Sequence, residues 1–197
     1  MKRGQHHGAL RPALVEAGLL LLDSEGIEAV TIRAVARLAG VSHAAPVNHF
    51  PDRRSLLTAI AVRCFEELTL AVVPKGRRPL PTARKQLYAL VDAFYAYGVA
   101  NPNRYRLMWR QDLLDAADPA IKALTDDVFE LVAKSLEGID KPPRISEMSR
   151  IVAVCSAIHG YVLLRIDGNF DSYVDERTGQ PRHHAIIEAL LPPAPRS

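Results

Sequence analysis

The stretch Thr31–Phe50 reads TIRAVARLAGVSHAAPVNHF and decides how the first part of this 197-residue chain folds. Val35, Ala36 and Ala39 fall at helical intervals and form one apolar stripe along a short helix. Gly40 follows where the chain must turn, because a residue without Cβ adopts a left-handed backbone at little cost. The pattern predicts a short helix, a tight turn and a second helix that packs across the first.

The second helix is expected over about His43–Phe50. Ser42 can cap its first N–H groups, and Val47 and Phe50, three residues apart, are expected to face the core. Pro46 lies close to the first turn, where a missing N–H costs least. This arrangement is typical of a helix-turn-helix, which places its second helix in the major groove of DNA. The alternative is a helical hairpin that binds nothing.

Over about Leu10–Leu68 the chain resembles the TetR family of bacterial regulators. The family pattern is a helix ending in Gly, then Thr-x-Arg, Ala-Gly-Val-Ser, a His-Phe pair, and Asp or Asn before a basic residue. The matching residues here are Gly26, Thr31–Arg33, Ala39–Ser42, His49–Phe50 and Asp52–Arg53. The chain departs from the pattern at Val47, where the family usually has a Tyr that contacts a DNA phosphate, and at Ala44, where Gly is common.

The resemblance and the outward positions of the second helix together nominate residues for DNA contact. Arg33 has the reach and forked head for a phosphate or a guanine edge, and pairing with Glu28 is the alternative. His43 occupies the first outward turn and is best placed to contact a base, whereas Ala44 offers only apolar contact. The full predicted set is Thr31, Arg33, Ser42, His43, Ala44, Ala45, Asn48, His49 and Arg53.

Charge and composition are compatible with this interpretation. The chain has a net charge of +3, and residues 1–63 hold eight Lys or Arg and five Asp or Glu, so the whole excess lies with the DNA motif. No uncharged apolar run reaches about eighteen residues, so no membrane span is expected. Cys64 and Cys155 are lone thiols, which suits burial in a reducing cytoplasm. No disulfide, metal site or cofactor is expected.

Helical spacing dominates the whole chain, and no convincing run of alternating strand residues occurs. The predicted fold class is all-α with about nine helices. An N-terminal three-helix helix-turn-helix domain should cover residues 1–55, a connecting helix residues 56–73, and a helical ligand-binding and dimerisation domain residues 74–197. Outside the motif, the expected helices cover about 10–24, 52–73, 83–100, 104–114, 118–137, 145–167 and 183–191.

The C-terminal part carries no catalytic signature, and an enzyme is not expected. Its aromatic and Met residues could line a pocket for a small hydrophobic ligand, although ordinary core packing is the alternative for each of them. The predicted lining residues are Phe94, Tyr95, Tyr105, Met108, Trp109, Phe129 and His159. The segments NPNRYRLMW (101–109) and AIHGYVLLRIDG (157–168) also resemble, less specifically, C-terminal domains of one TetR subgroup, and this resemblance implies such a pocket.

Pairing of two copies is expected because one recognition helix contacts too few base pairs to select a site. The long apolar helix over 145–167 and the helix over 183–191 are the predicted interface elements. The predicted interface residues are Val154, Ile158, Tyr161, Val162, Ile186 and Leu190. The chain is thus predicted to be a cytoplasmic homodimer that binds a near-palindromic operator in double-stranded DNA. A repressor released by a small molecule is favoured over a regulator controlled by abundance or a protein partner.

Overall fold

A computed structural model of the chain describes residues 7–42, 44–72, 82–141, 145–170 and 173–193, with residues 7–9 as backbone only. Eight α-helices lie within these ranges: α1 (His7–Glu25), α2 (Ile32–Leu38), α3 (Arg53–Val72), α4 (Ala83–Ala100), α5 (Pro102–Met108), α6 (Pro119–Leu136), α7 (Glu147–Ile166) and α8 (Arg182–Glu188). Two 3₁₀ turns cover Ile27–Ala29 and Pro46–Asn48. Apart from one bridge between Val174 and Pro181, the described chain is helical, so the all-α prediction is confirmed.

Two predicted helices are wrong in extent. In place of a helix over 43–50, the described residues form a turn and the 3₁₀ segment Pro46–Asn48, because Pro46 cannot donate a hydrogen bond to the preceding turn. The helix expected over 104–114 begins earlier and ends at Met108. A series of turns follows, in which the guanidinium of Arg54 donates to the carbonyl oxygens of Asp112 (3.0 Å) and Leu114 (2.6 Å).

The helices pack into two compact units, residues 1–67 with 101–124 and residues 68–100 with 125–197. The first unit therefore combines α1, α2, most of α3 and α5. The second combines α4, α7, α8 and most of α6. The functional division at residues 55 and 73 stays a prediction.

The core of the first unit forms between α1, α2 and α3. Among its most buried apolar side chains are Leu14, Leu22, Val30, Val35, Phe50, Leu56, Ile60 and Phe65. Arg104 links α5 to α1 and α3, since it donates to both carboxylate oxygens of Asp23 (2.8 and 2.6 Å) and to Glu67 (2.6 Å). The hydrogen bonds to Asp23 raise the pKa of Arg104, which stays charged.

Helix α3 begins where the sequence predicted, directly after Asp52. The Asp52 carboxylate accepts from the backbone N–H of Ser55 at 2.7 Å, and the Ser55 hydroxyl donates to the Asp52 carbonyl at 2.8 Å. These hydrogen bonds hold the pKa of Asp52 below its usual range. The cap fixes the start of the helix that follows the DNA motif.

In the second unit, α7 packs against α4 and α8. Val154, Ile158, Tyr161 and Val162 are buried within their own chain, so they do not present the apolar surface predicted for a partner subunit. An all-round apolar helix does not reveal from its sequence which side faces inward. The exposed apolar residues of α7 lie on another face: Met148 (63% exposed), Val152 (45%) and Leu164 (42%). The other two predicted interface residues lie in and just after α8. Ile186 is half-buried, and Leu190 is exposed.

Helix α7 is also the one described helix that is long and apolar enough to span a membrane by length and composition. It contains the buried Arg150, and one side of it belongs to the core of the second unit. A core helix of a soluble protein has the same properties, so this feature is no evidence of insertion.

Candidate DNA-binding site

The turn of the DNA motif is closed by a pair of backbone hydrogen bonds. The N–H of Val41 donates to the carbonyl of Ala36 at 3.0 Å, and the N–H of Gly40 donates to the carbonyl of Arg37 at 3.2 Å. Gly40 has φ +69°, the left-handed conformation that this helix ending requires. The predicted role of Gly40 is confirmed, and the turn directs the chain away from α2.

Thr31 caps α2, as predicted. Its hydroxyl oxygen accepts from the backbone N–H of Ala34 at 3.2 Å, and its own backbone is extended. Arg33 lies two residues later with its side chain exposed. Glu28, the alternative partner of Arg33, is bound by Arg53 instead, so within the described residues no ion pair holds Arg33.

The segment after the turn lies on the surface of the first unit. Ala44 and Asn48 are exposed, Ala45 and His49 are half-buried, and Ser42 is exposed with its carbonyl accepting from the N–H of Ala45. His43, the residue predicted to contact a base, lies outside the described residues. The exposed residues Ser42, Ala44 and Asn48 thus lie within one short stretch, whereas the exposed Thr31 and Arg33 lie at the start of α2.

The inward side of this segment differs from prediction at one position. Phe50 is 1% exposed, as expected, but Val47 is 55% exposed and Pro46 is buried in its place. The 3₁₀ segment has fewer residues per turn than an α-helix, so the residues that face inward shift by one. Val47 therefore adds an apolar side chain to the outward surface, where the family pattern has Tyr.

Arg53 makes hydrogen bonds within the first unit, and its predicted contact with the DNA backbone stays a prediction. Its Nε donates to the carbonyl of Val30 at 2.8 Å, and its Nη2 donates to the carbonyl of Ile27 at 2.6 Å and to Glu28 at 3.3 Å. Ile27 begins the 3₁₀ turn that precedes α2, and Val30 directly follows that turn. Arg53 thus fixes the turn from which α2 begins and acts as a positioning residue in the described structure.

Replacing Arg53 is expected to destabilise the protein. Arg53→Ala leaves two backbone carbonyl oxygens without this donor, and hydrogen bonds to charged groups contribute about 1.5–3 kcal/mol each. Because the side chain is one-third exposed, we expect a total loss of about 1–3 kcal/mol, measured by urea unfolding. Arg37→Ala removes an exposed cation that has no ion pair among the described residues, and it serves as the comparison for the effect of charge alone on stability. An unchanged unfolding midpoint for Arg53→Ala would contradict the positioning role.

Sequence reasoning did not identify Arg11 as part of this surface. Its guanidinium carbon lies 5.2 Å from the centre of the Phe50 ring, while the residue itself is exposed. Such a contact holds a cation against an aromatic face. The exposed cations in or in contact with the motif therefore include Arg11, Arg33 and Arg37. Arg11 is distant in sequence from the motif, and no local pattern indicates the contact.

The residues predicted to line a ligand pocket divide between the two units. Tyr105, Met108 and Trp109 belong to the first, where Trp109 packs edge-on against Phe65 at 5.6 Å between ring centres. Phe94, Tyr95, Phe129 and His159 belong to the second unit, and burial lowers the pKa of His159. Phe94 is buried and Phe129 is exposed. The pocket itself stays a prediction.

Two family models match this chain. The model described as "Bacterial regulatory proteins, tetR family" matches residues 14–60, which contain the turn, its flanking elements and the start of α3. The model described as "Tetracyclin repressor-like, C-terminal domain" matches residues 87–189, more than half of the chain.

Individual proteins agree with the family models. The uncharacterized HTH-type transcriptional regulator Rv0681 of Mycobacterium tuberculosis is 29% identical over 168 residues, covering 82% of this chain and 72% of that protein. The HTH-type transcriptional activator FasR of Mycolicibacterium smegmatis is 26% identical, covering 85% and 72%. A solved structure of a protein with unknown function from Rhodococcus sp. RHA1 has a TM-score of 0.72 at 25% identity, over 95% of this chain and 94% of that one.

Proposed function

Since this chain belongs to the TetR family of bacterial transcription regulators, we propose that it is a homodimeric repressor, released from its operator by a small hydrophobic ligand. The family consists of DNA-binding regulators and not of enzymes. The proposed place of action is the cytoplasm, on a near-palindromic operator. The observation that carries the proposal is that Ala44, Val47 and Asn48 are exposed on the segment that a hydrogen-bonded turn joins to α2, the helix that bears the exposed Arg33.

The proposed DNA surface divides into base contact and backbone contact. Ser42, His43, Ala44, Ala45 and Asn48 are proposed to enter the major groove. Thr31, Arg33 and His49, joined by Arg11, are proposed to contact phosphates and set the register. Few polar groups face outward on the groove-entering segment, so part of the selectivity is expected to come from DNA shape and from two-site binding.

Selection of bound fragments from genomic DNA tests this proposal. A dimer of the proposed kind enriches sites with two related half-sites about 34 Å apart. Binding of all fragments with equal affinity, or of none, contradicts it. The recovered operator also provides the probe for the variants described below.

The proposed dimer surface is the outward face of α7. Support comes from its exposed apolar residues Met148, Val152 and Leu164, and from Gly160, where an added Cβ would meet nothing within 4 Å. Gly160 therefore leaves room for close approach of a second helix. Ile186 and Leu190, with incomplete burial in one chain, are proposed to extend this surface.

Val152→Glu is expected to convert the dimer to a folded monomer. A carboxylate at an exposed position does not disturb the chain itself, but an apolar interface would have to bury it without a partner. The measurement is molar mass by light scattering during size exclusion, together with the circular dichroism spectrum. Val152→Thr keeps the side-chain volume and is the matched control, which should remain dimeric. A dimeric Val152→Glu protein would place the interface elsewhere.

Release by a ligand requires that the ligand bind the two conformations of the dimer unequally. The candidate pocket residues in each unit support a hydrophobic ligand but specify no particular molecule. Thermal unfolding in the presence of a metabolite panel, followed by operator binding with each stabilising compound, tests this part. A compound that stabilises the protein and weakens operator binding supports induction. Without such a compound, control by abundance or by a protein partner becomes the better account.

The sign of regulation is tested separately, because one relative, FasR, is named as an activator. Transcription from the selected operator should rise when the gene for this protein is deleted. A fall would make the protein an activator and would leave the DNA-binding proposal intact.

A further inference from the structure

Three side chains with metal-ligating atoms converge in the second unit, and none of them belongs to the proposed DNA surface. The Nε2 atoms of His183 and His184 each lie 2.7 Å from the same carboxylate oxygen of Asp92. The three ligand atoms lie within 4.8 Å of one another. From this convergence we propose that Asp92, His183 and His184 bind a divalent transition-metal ion of the zinc class.

The convergence needs an explanation because His183 and His184 are adjacent in the first turn of α8. Adjacent residues on a helix project about 100° apart, so their ring nitrogens do not ordinarily meet at one point. Asp92 comes from α4 and supplies that point. A carboxylate has two oxygens with room for about four donors, so two independent hydrogen bonds need not share one oxygen.

Aromatic stacking fixes both imidazole rings in this orientation. Tyr88 stacks on His184 with 4.3 Å between ring centres, and Tyr95 stacks on His183 at 4.5 Å, each within 15° of parallel. Tyr88 is held in turn by a hydrogen bond from its hydroxyl to Glu188. The ligand atoms are therefore oriented before any ion binds, which lowers the cost of binding.

The two nitrogen–oxygen distances are close to those of a metal site, and the two ring nitrogens lie within 4.8 Å of each other. Ligand atoms at 2.0–2.2 Å from a tetrahedral Zn²⁺ lie about 3.3 Å from each other, so each nitrogen–oxygen contact has to lengthen by about 0.6 Å. The Asp92 side chain is half-exposed, and rotation about its own bonds supplies this change. Its exposure also leaves the remaining coordination positions open to water.

The charge and chemistry of the cluster favour a transition metal. Two imidazoles and one carboxylate suit Zn²⁺ and similar ions, whereas Mg²⁺ and Ca²⁺ prefer oxygen ligands alone. Two arginines of the same region pair with other carboxylates, Arg84 with Glu188 and Arg182 with Glu176. The single negative charge of Asp92 is thus available to the ion.

Calorimetric titration of ZnCl₂ into the full-length, chelator-treated protein tests the site. We expect one Zn²⁺ for each chain at this site, with no comparable binding of Mg²⁺. Asp92→Asn should weaken that binding at least 100-fold. The amide oxygen of Asn still accepts hydrogen bonds from both rings, so the melting temperature without metal should stay near that of the wild type. If Asp92→Asn proves unstable, His184→Gln replaces it.

Zinc binding by other histidines requires a control, because the chain has seven histidines in all. Two of these, His6 and His7, are adjacent in sequence. The double variant His6→Gln/His7→Gln should retain the zinc site at full affinity. If wild type and Asp92→Asn bind zinc equally well, or if neither binds it, the cluster is only a hydrogen-bonded contact between α4 and α8 and the proposal is wrong. The experiment uses no DNA, so its outcome is independent of the proposed function.

Discussion

Ala44→Glu is expected to abolish operator binding while the protein stays folded. Ala44 is exposed in the turn before Pro46, so the new side chain displaces no core residue. On the DNA, however, its carboxylate would enter a groove lined by phosphates. Like charges placed next to each other cost several kcal/mol of binding free energy, and each 1.4 kcal/mol changes the affinity about tenfold. We therefore expect the operator affinity to fall by about 100-fold or more.

Fluorescence anisotropy with the selected operator measures this loss. Ala44→Ser should bind within a few-fold of the wild type, because it changes the size of the side chain little and adds no charge. Ala96→Glu makes the same substitution at an exposed position of α4 and controls for the change in net charge. Equal weakening by Ala44→Glu and Ala96→Glu would mean that overall charge, and not a groove contact, is responsible.

Phe50→Ala is the second substitution with a large expected effect. Phe50 is 1% exposed and fills the core beneath the 3₁₀ segment Pro46–Asn48. Truncation of a buried Phe removes its apolar contacts and leaves a cavity, which costs about 3–5 kcal/mol. Arg11 also loses the aromatic face on which it lies, so DNA binding should weaken even in the fraction that remains folded.

Urea unfolding of Phe50→Ala and Val47→Ala provides the comparison. The two variants alter neighbouring apolar residues of the same segment, but Val47 is exposed, so its truncation should change stability by no more than about 0.5 kcal/mol. Similar losses of stability for both variants would contradict the burial of Phe50 and the exposure of Val47, and would favour a regular helix over 43–50. A loss of stability confined to Val47→Ala would mean that Val47, and not Phe50, faces the core.

The parts of the fold that could be predicted from sequence depend on local signals. Gly40 marks the turn because its backbone conformation is disfavoured for other residues, and Thr31 marks the start of α2 because its hydroxyl caps the next N–H groups. The helix over 83–100 and the start of α6 after Asp118 likewise agree with prediction, since the carboxylate of Asp118 accepts from the N–H of Ala120. Each of these signals acts within a few residues.

The parts that could not be predicted depend on partners distant in sequence. Nothing near Arg53 shows that its guanidinium binds the carbonyls of Ile27 and Val30. Periodicity likewise does not choose between two apolar faces of α7, and it therefore assigned Val162 to the wrong side. The cluster joins Asp92 of α4 to His183 and His184 of α8, which are 91 and 92 residues away in sequence. No local spacing of metal ligands reveals such a cluster.

Affinity cleavage of the operator tests the central claim, that Ala44, Ala45 and Asn48 face the DNA groove. An iron chelate is attached to Asn48→Cys in a Cys155→Ser background. The remaining Cys64 is buried and does not compete for the reagent. We expect two clusters of strand cleavage about 34 Å apart on one face of the operator, and none from the same chelate at Glu130→Cys in the second unit. Cleavage from Glu130→Cys without cleavage from Asn48→Cys would contradict it.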